Sequence, residues 1–213
     1  LPLALLSLFA APAALAQNAG RIFASATLHG GYLEVRTSDG VYLIKPYTRS
    51  IIETTFVPDG ESADPKSHAV VLTPAAVSTT YSDKAQQIEY ATPGLVVTIT
   101  KSPFQIAYTY KGKPLVAEKK GYTKVTDDVA SGSADINKGK PRVLEAIEFA
   151  LDKDEALYGA GARAVGMNRR GNRFTLYNKA DYGYGATSKQ LNYGMPVAMS
   201  SKLYALHFDN ART

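Results

Sequence analysis

"QQIEYATPGLVVTITKSPFQIAYTYKGKPLV", residues 86–116, carries the most regular pattern in the chain. Three short runs rich in β-branched and aromatic residues, 87–91, 95–100 and 104–110, are cut by Pro93-Gly94 and by Ser102-Pro103. The third closes on Lys111-Gly112-Lys113, a tight turn into Pro114-Leu115-Val116. Short runs of this composition between such turn residues predict antiparallel strands. Upstream, "YLEVRTSDGVYLIKPYT" (32–48) alternates Leu33 and Val35 with Glu34 and Arg36, turns at Ser38-Asp39-Gly40 and resumes with Val41-Tyr42-Leu43-Ile44. An Asp-Gly pair between two such runs is a hairpin signal. "SIIETTFVP" (50–58) and "SHAVVLTP" (67–74) read as further strands.

Downstream, "TDDVASGSADINKGKPR" (126–142) is polar and has few apolar residues to bury, so it reads as a surface loop. In "VLEAIEFALDKDEALYG" (143–159), Leu144, Ile147 and Leu151 stand near helical spacing, but the neighbouring strands favour a strand over 143–150. Strands at intervals of about 8 to 12 residues, with no internal repeat and no βαβ alternation, predict an all-β chain folded as an antiparallel β-sandwich. It would occupy residues 20–213.

Composition narrows the function. The 213 residues include no cysteine, which removes disulfides, thiolate catalysis, cysteine zinc sites and lipid attachment through an acylated cysteine. The net charge of +5 is dispersed, with no run of like charge longer than Lys119-Lys120 or Arg169-Arg170, so nucleic acid is not an expected partner. "LPLALLSLFAAPAALAQ" (1–17) is an apolar run closing on Ala14-Leu15-Ala16, small residues at the positions a signal peptidase reads. With Leu1 in place of an initiator methionine, residues 1–16 are expected to be the remainder of a secretory signal, and the protein to be exported to the periplasm or beyond. The run is short for a bilayer span of roughly 20 residues, and Pro2 and Pro12 fit one poorly, so no membrane anchor is expected.

The segment from Tyr158 to Gly185, "YGAGARAVGMNRRGNRFTLYNKADYGYG", is dense in glycine, arginine and tyrosine. Several of its glycines are expected at positive φ or at close backbone approaches. Gly159, Gly161 and Gly166 do not make a G-x-G-x-x-G phosphate loop. Five elements occur in order over about fifty residues: Tyr158-Gly159-Ala160-Gly161-Ala162-Arg163, Arg170-Gly171, Tyr177-Asn178, Tyr193-Gly194-Met195-Pro196 and Phe208-Asp209-Asn210. In this order they resemble the N-terminal, galactose mutarotase-like β-sandwich domain of family 31 glycoside hydrolases, the α-glucosidase and α-xylosidase group. Two departures stand out. Ala162 occupies a place where the family often has Glu, and the carboxylate two residues after the Asn in the family stands three after it here, at Asp181. The wording is most similar to a bacterial branch that includes oligosaccharide α-1,4-glucosyltransferases beside hydrolases.

The resemblance implies that the sandwich packs beside a (β/α)8 barrel which carries both catalytic carboxylates of a retaining mechanism, set about 5 to 5.5 Å apart. Chain end Thr213 precedes any barrel strand, so no catalytic residue is expected within these residues, the isolated chain is expected to be inactive, and no cofactor is implied. The implied partners are an α-linked oligosaccharide and the barrel itself. A loop from this domain reaches over the barrel mouth in the family, which here corresponds to residues 178–192. Asn178, Asp181, Tyr182 and Tyr184 are the candidate substrate-binding residues, with Gly183 and Gly185 expected to let the backbone bend between the rings. Phenol-bearing rings suit the apolar face and the hydroxyls of a pyranose, and a carboxylate can accept from two adjacent hydroxyls.

Other features carry less. Arg163, Arg169, Arg170 and Arg173 fit buried ion pairs between sandwich and barrel better than substrate contacts. Tyr158, Gly159 and Gly161 read as packing and turn residues. His29, His68 and His207 are too scattered for a metal site, and His207 reads as a strand residue. Ser200-Ser201 lacks a nucleophile elbow, and Asp127-Asp128 lacks the spacing of a calcium loop. Two rival functions remain open: a stand-alone carbohydrate-binding sandwich without catalysis, and a mutarotase-like sugar isomerase, for which the isolated histidines offer no convincing acid–base pair.

Overall fold

The computed structural model describes residues 20–63, 67, 69–127, 142–176, 178, 180, 182–188 and 191–209. The signal-like stretch 1–16, nearly all of the polar stretch 126–142, His68, Asp128, Tyr177, Asp181 and Asn210 lie outside them. The described residues form antiparallel strands and no helix, hence no helix long and apolar enough to cross a membrane.

The first sheet is a four-stranded meander of β1 (Phe23–Leu28), β2 (Leu33–Thr37), β3 (Gly40–Thr48) and β4 (Ile51–Pro58). The second has six strands, β5 (Thr80–Asp83), β6 (Gln87–Ala91), β7 (Leu95–Thr100), β8 (Gln105–Tyr110), β9 (Lys113–Asp127) and β10 (Arg142–Ala150), each beside its sequence neighbour. Period-2 alternation builds the interior. In β2 and β3 the pairs Leu33–Ile44 and Val35–Tyr42 face inward; in β6, β7 and β8 the inward residues are Ile88, Tyr90, Val97, Ile99 and Ile106. These residues and Phe104 form one fully buried cluster shared by both sheets, which makes the pair a sandwich. Polar ties also cross the layers, among them the hydroxyls of Thr54 and Tyr108 at 2.6 Å, and Thr92 Oγ1 donating to the Arg49 carbonyl at 2.6 Å.

One expected strand is absent. Residues 67 and 69–74 run as irregular chain, because this stretch is the crossover from β4 of one sheet to β5 of the other and meets no strand to pair with. Its Val71 is 97% exposed. The strand expected over 143–150 does form, as β10.

One end of the sandwich carries an ionic cluster centred on the buried Arg21. Arg21 donates from Nε and Nη2 to the two oxygens of Asp39 at 2.8 and 2.7 Å, from Nη1 to the Tyr42 hydroxyl at 2.6 Å and from Nη2 to the Tyr122 carbonyl at 2.8 Å. Its guanidinium lies 4.4 Å from the Phe56 ring centroid. The Tyr42 hydroxyl in turn donates to Glu118 Oε2 at 3.3 Å. Glu118 reaches this spot because β9 carries a bulge: Gly121 pairs with Glu148 and Glu118 with Phe149, leaving Lys119 and Lys120 as extra residues. Gly121, at φ 64°, leaves room for the cluster; a Cβ there would come within 2.8 Å of Arg21, Glu118 and Tyr42 side chains.

Burial dominates the ionisation of Glu118 and pushes its pKa from 4.5 up to about 7, against the opposing pull of Arg21 and of the Tyr42 hydrogen bond. A carboxyl held protonated by the fold stabilises it fully below the unfolded pKa, and that contribution is lost as pH rises through the folded one. From pH 4.5 to pH 8 the folding free energy is therefore expected to fall by on the order of 3 kcal/mol. Glu118→Gln, which keeps an acceptor for Tyr42, should flatten this dependence and exceed the wild type in stability above pH 7. Urea denaturation across that range checks it; parallel profiles for the two proteins would refute the assignment.

Candidate functional site

A third, smaller sheet consists of β11 (Leu157–Gly159), β12 (Val197–Ser200) and β13 (Ala205–His207). Phe208, just beyond β13, meets Phe149 of β10 at 6.3 Å between ring centroids. The chain joining β11 to β12 forms no strand among its described residues. Its backbone polar groups must therefore find partners outside any ladder.

Glu155 secures the base of this segment. It is buried, and its carboxylate accepts from the Ser200 hydroxyl, from the Tyr204 hydroxyl at 2.6 Å and from the Asp152 amide at 3.0 Å. Burial opposes the charge, but these hydrogen bonds and the nearby Lys202 outweigh it and hold the carboxyl below its ordinary value. Burial, and then the Glu155 carboxylate, raises the Tyr204 phenol well above its ordinary value.

Three of the arginines donate to main-chain carbonyls of this domain. Arg170 donates to the carbonyls of Asp152 and Glu155 at 2.6 and 2.8 Å. Arg169 donates to those of Gly159, Val165 and Gly166 at 3.2, 2.8 and 2.8 Å. Arg163, also buried, donates to those of Ala160 and Thr175 at 3.0 and 3.1 Å. A planar fork of donors suits carbonyls that point in different directions. The Phe174 ring lies beneath two of these groups, 5.2 Å from the Arg163 guanidinium and 5.9 Å from that of Arg169. Burial, and then the Arg169 charge, lowers the pKa of Arg163. Arg173 is exposed.

Gly159, Ala160 and Gly161 have φ of 104°, 61° and 83°, a left-handed turn that brings the amides of Ala160 and Ala162 onto the carbonyls of Val197 and Tyr193, each at 2.9 Å. A Cβ on Gly159 would collide with the Val197 carbonyl, and one on Gly161 with the Tyr193 carbonyl and Gly194 Cα. Both glycines are thus turn and close-approach residues, as the sequence indicates. Gly183 and Gly185 have no positive φ, and a Cβ on either would meet open space, although Gly183 does lie in a turn. Ser188 closes the next turn: its hydroxyl accepts from the Gly185 amide at 2.9 Å and its carbonyl accepts from the Ala164 amide at 3.2 Å.

Of the candidate sugar-binding residues, Tyr182 is 94% exposed and Tyr184 59% exposed. Asn178 is exposed as well, and its side-chain oxygen accepts from the Gly194 amide at 2.7 Å, which joins the two limbs of the loop. Asp181 is outside the described residues. Two residues that organise the segment were not singled out from the sequence, Glu155 and Phe174. The only hint is that Glu155 is an isolated acid between a polar turn and a strand, and nothing marks Phe174.

Comparison with known proteins gives the class. Residues 42–213 match the glycosyl hydrolase 31 N-terminal galactose mutarotase-like domain. The chain belongs to that family. It is 25% identical over 176 residues to α-glucosidase 2 of Bacillus thermoamyloliquefaciens, covering 80% of this chain and 21% of that protein. Among solved structures, a family 31 dextranase from Flavobacterium johnsoniae complexed with glucose superposes with a TM-score of 0.71 at 22% identity, over 89% of this chain and 22% of the dextranase. A family 31 α-xylosidase from Xanthomonas citri follows at 0.65 and 20%, over 86% of this chain and 19% of the xylosidase. The chain spans about a fifth of the length of these relatives.

Gly161→Ala should destabilise the protein by about 2 to 4 kcal/mol, through the strained φ and the collision with the opposing backbone. Gly166→Ala, where a Cβ meets open space, should stay within about 0.5 kcal/mol of wild type. Thermal unfolding of the two side by side distinguishes a required glycine from a dispensable one.

Proposed function

We propose that this sandwich is the N-terminal domain of an exported, retaining α-glycosidase that hydrolyses or transfers α-linked glucosyl or xylosyl units, buttressing a catalytic barrel and lending the 178–192 loop to the sugar subsite. The observation that carries the reading is the family match, which embraces the loop and everything that anchors it. The chemistry of the loop supports it. Tyrosine rings left exposed by their own domain gain by stacking on the C–H face of a pyranose while the phenol meets a hydroxyl. The acids buried among the described residues are already committed to structural partners, Glu118 to Tyr42 and Glu155 to Ser200 and Tyr204. Cleavage through a covalent glycosyl-enzyme requires two carboxyls facing one glycosidic bond, and these belong to the barrel in this reading. Export rests on the small-residue cleavage signature at Ala14-Leu15-Ala16.

In the enzyme that carries this domain, Tyr182→Ala and Tyr184→Ala should each lower kcat/KM for a nitrophenyl α-glycoside by roughly 10- to 100-fold, or about 1.4 to 2.8 kcal/mol. The unfolding temperature should change little, because both rings are solvent-exposed. Asp181→Ala is expected to behave in the same way. Unchanged kinetics in all three would remove the loop from the subsite. The 213-residue chain by itself is expected to show no turnover of nitrophenyl α-glucosides, and activity that co-purifies with it would overturn the assignment of the catalytic carboxylates to the barrel.

A further inference from the structure

The two limbs of the 178–192 loop meet at one point. The outgoing limb passes through Gly194, and a Cβ built there would lie 3.3 Å from Leu176 Cα of the incoming limb, 3.4 Å from Arg163 Nη2 and 3.5 Å from Asn178 Oδ1. Asn178 accepts the Gly194 amide at 2.7 Å, and Tyr193 accepts the Ala162 amide at 2.9 Å. Arg163 is the side chain common to the parts that form this crossing. It donates to Ala160 in the left-handed turn and to Thr175 on the incoming limb, and it rests on Phe174. The result is a neck of the kind that closes an Ω-loop, with a buried guanidinium as its pin.

We infer that Arg163, acting at the Gly194 crossing, is the positioning residue that sets the pose of Tyr182 and Tyr184 and thereby the affinity of the sugar subsite. The inference rests on the subsite reading above. Neither Arg163 nor Gly194 need touch sugar for this: the hydrogen bonds fix where both limbs leave the domain, and the tyrosines sit on the chain between them. A displacement of about 1 Å caused far from the chemistry can cost on the order of 100-fold in kcat/KM.

The test uses the complete enzyme with Arg163→Lys, Gly194→Ala and, as a control, Gly166→Ala, assayed on nitrophenyl α-glucoside and nitrophenyl α-xyloside. Lysine keeps the charge but cannot span two divergent carbonyls, and Gly194→Ala forces the limbs apart by a few tenths of an ångström. Both variants should raise KM at least tenfold with kcat changed less than threefold, and both should accelerate tryptic cleavage after Lys179 and Lys189 at least tenfold; the control should match wild type. A loss of thermal stability with neither a KM change nor faster loop cleavage would make Arg163 a structural residue only and overturn the inference. So would an unchanged KM in both neck variants where Tyr182→Ala and Tyr184→Ala do raise it. If the tyrosine variants are kinetically silent while loop cleavage is accelerated, Arg163 still positions the loop and it is the subsite reading that fails.

Discussion

A backbone that leaves the ladder of a sheet must still satisfy its carbonyls, and between β11 and β12 that task falls to arginine side chains. Arg163, Arg169 and Arg170 donate to the carbonyls of Ala160, Val165, Gly166 and Thr175 in this stretch and to those of Asp152, Glu155 and Gly159 at or ahead of β11. Asn168 adds a further tie by accepting the amides of Leu157 and Arg170, each at 3.1 Å. Hydrogen bonds with a charged donor are stronger than neutral ones, so an irregular segment is given the definition that a sheet obtains from repetition. The candidate loop inherits its position from this arrangement, and the arrangement in turn stands on Glu155, which ties the start of the segment to the third sheet through Ser200 and Tyr204.

A different strategy operates at the edge of the sandwich. Its core cluster is apolar, and among the described residues charge meets its margin at Arg21, Asp39 and Glu118. There the guanidinium is shared between a carboxylate, a phenol, a carbonyl and an aromatic face, while the second carboxyl is kept near neutrality. A buried cation with one ionised partner avoids the cost of an unpaired charge. One consequence is that the chain just ahead of β1 is drawn into the fold, because Arg21 precedes the first strand and yet contacts the backbone of β9.

Much of the sandwich was legible in the sequence because alternation and turn residues are local signals. Ile88-Glu89-Tyr90 and Val97-Thr98-Ile99 each bury the residues their spacing nominates, and Pro93-Gly94 turns where it should, with Gly94 against the Arg49 carbonyl. The stretch 67–74 misled for the same reason: Val70-Val71-Leu72 has strand composition, but a strand also requires a neighbour, and composition does not report one. At the site, the turn at Gly159 and Gly161 could be read directly. The arginines were visible but their partners were not, since main-chain carbonyls leave no mark in a sequence. Glu155 finds Ser200 and Tyr204 more than forty residues away, a separation that no local pattern encodes. Gly183 and Gly185 were read as bends between the rings, and neither has positive φ.

The crossing at Gly194 gives the domain a modular character. Because both limbs of the loop are fastened where they leave the body, the residues between them can change in length or identity without a strain that reaches β11, β12 or the sandwich beyond. The frame is held by close backbone approaches and by the buried Arg163 guanidinium, whereas the exposed side chains of the tip carry little of the frame's stability.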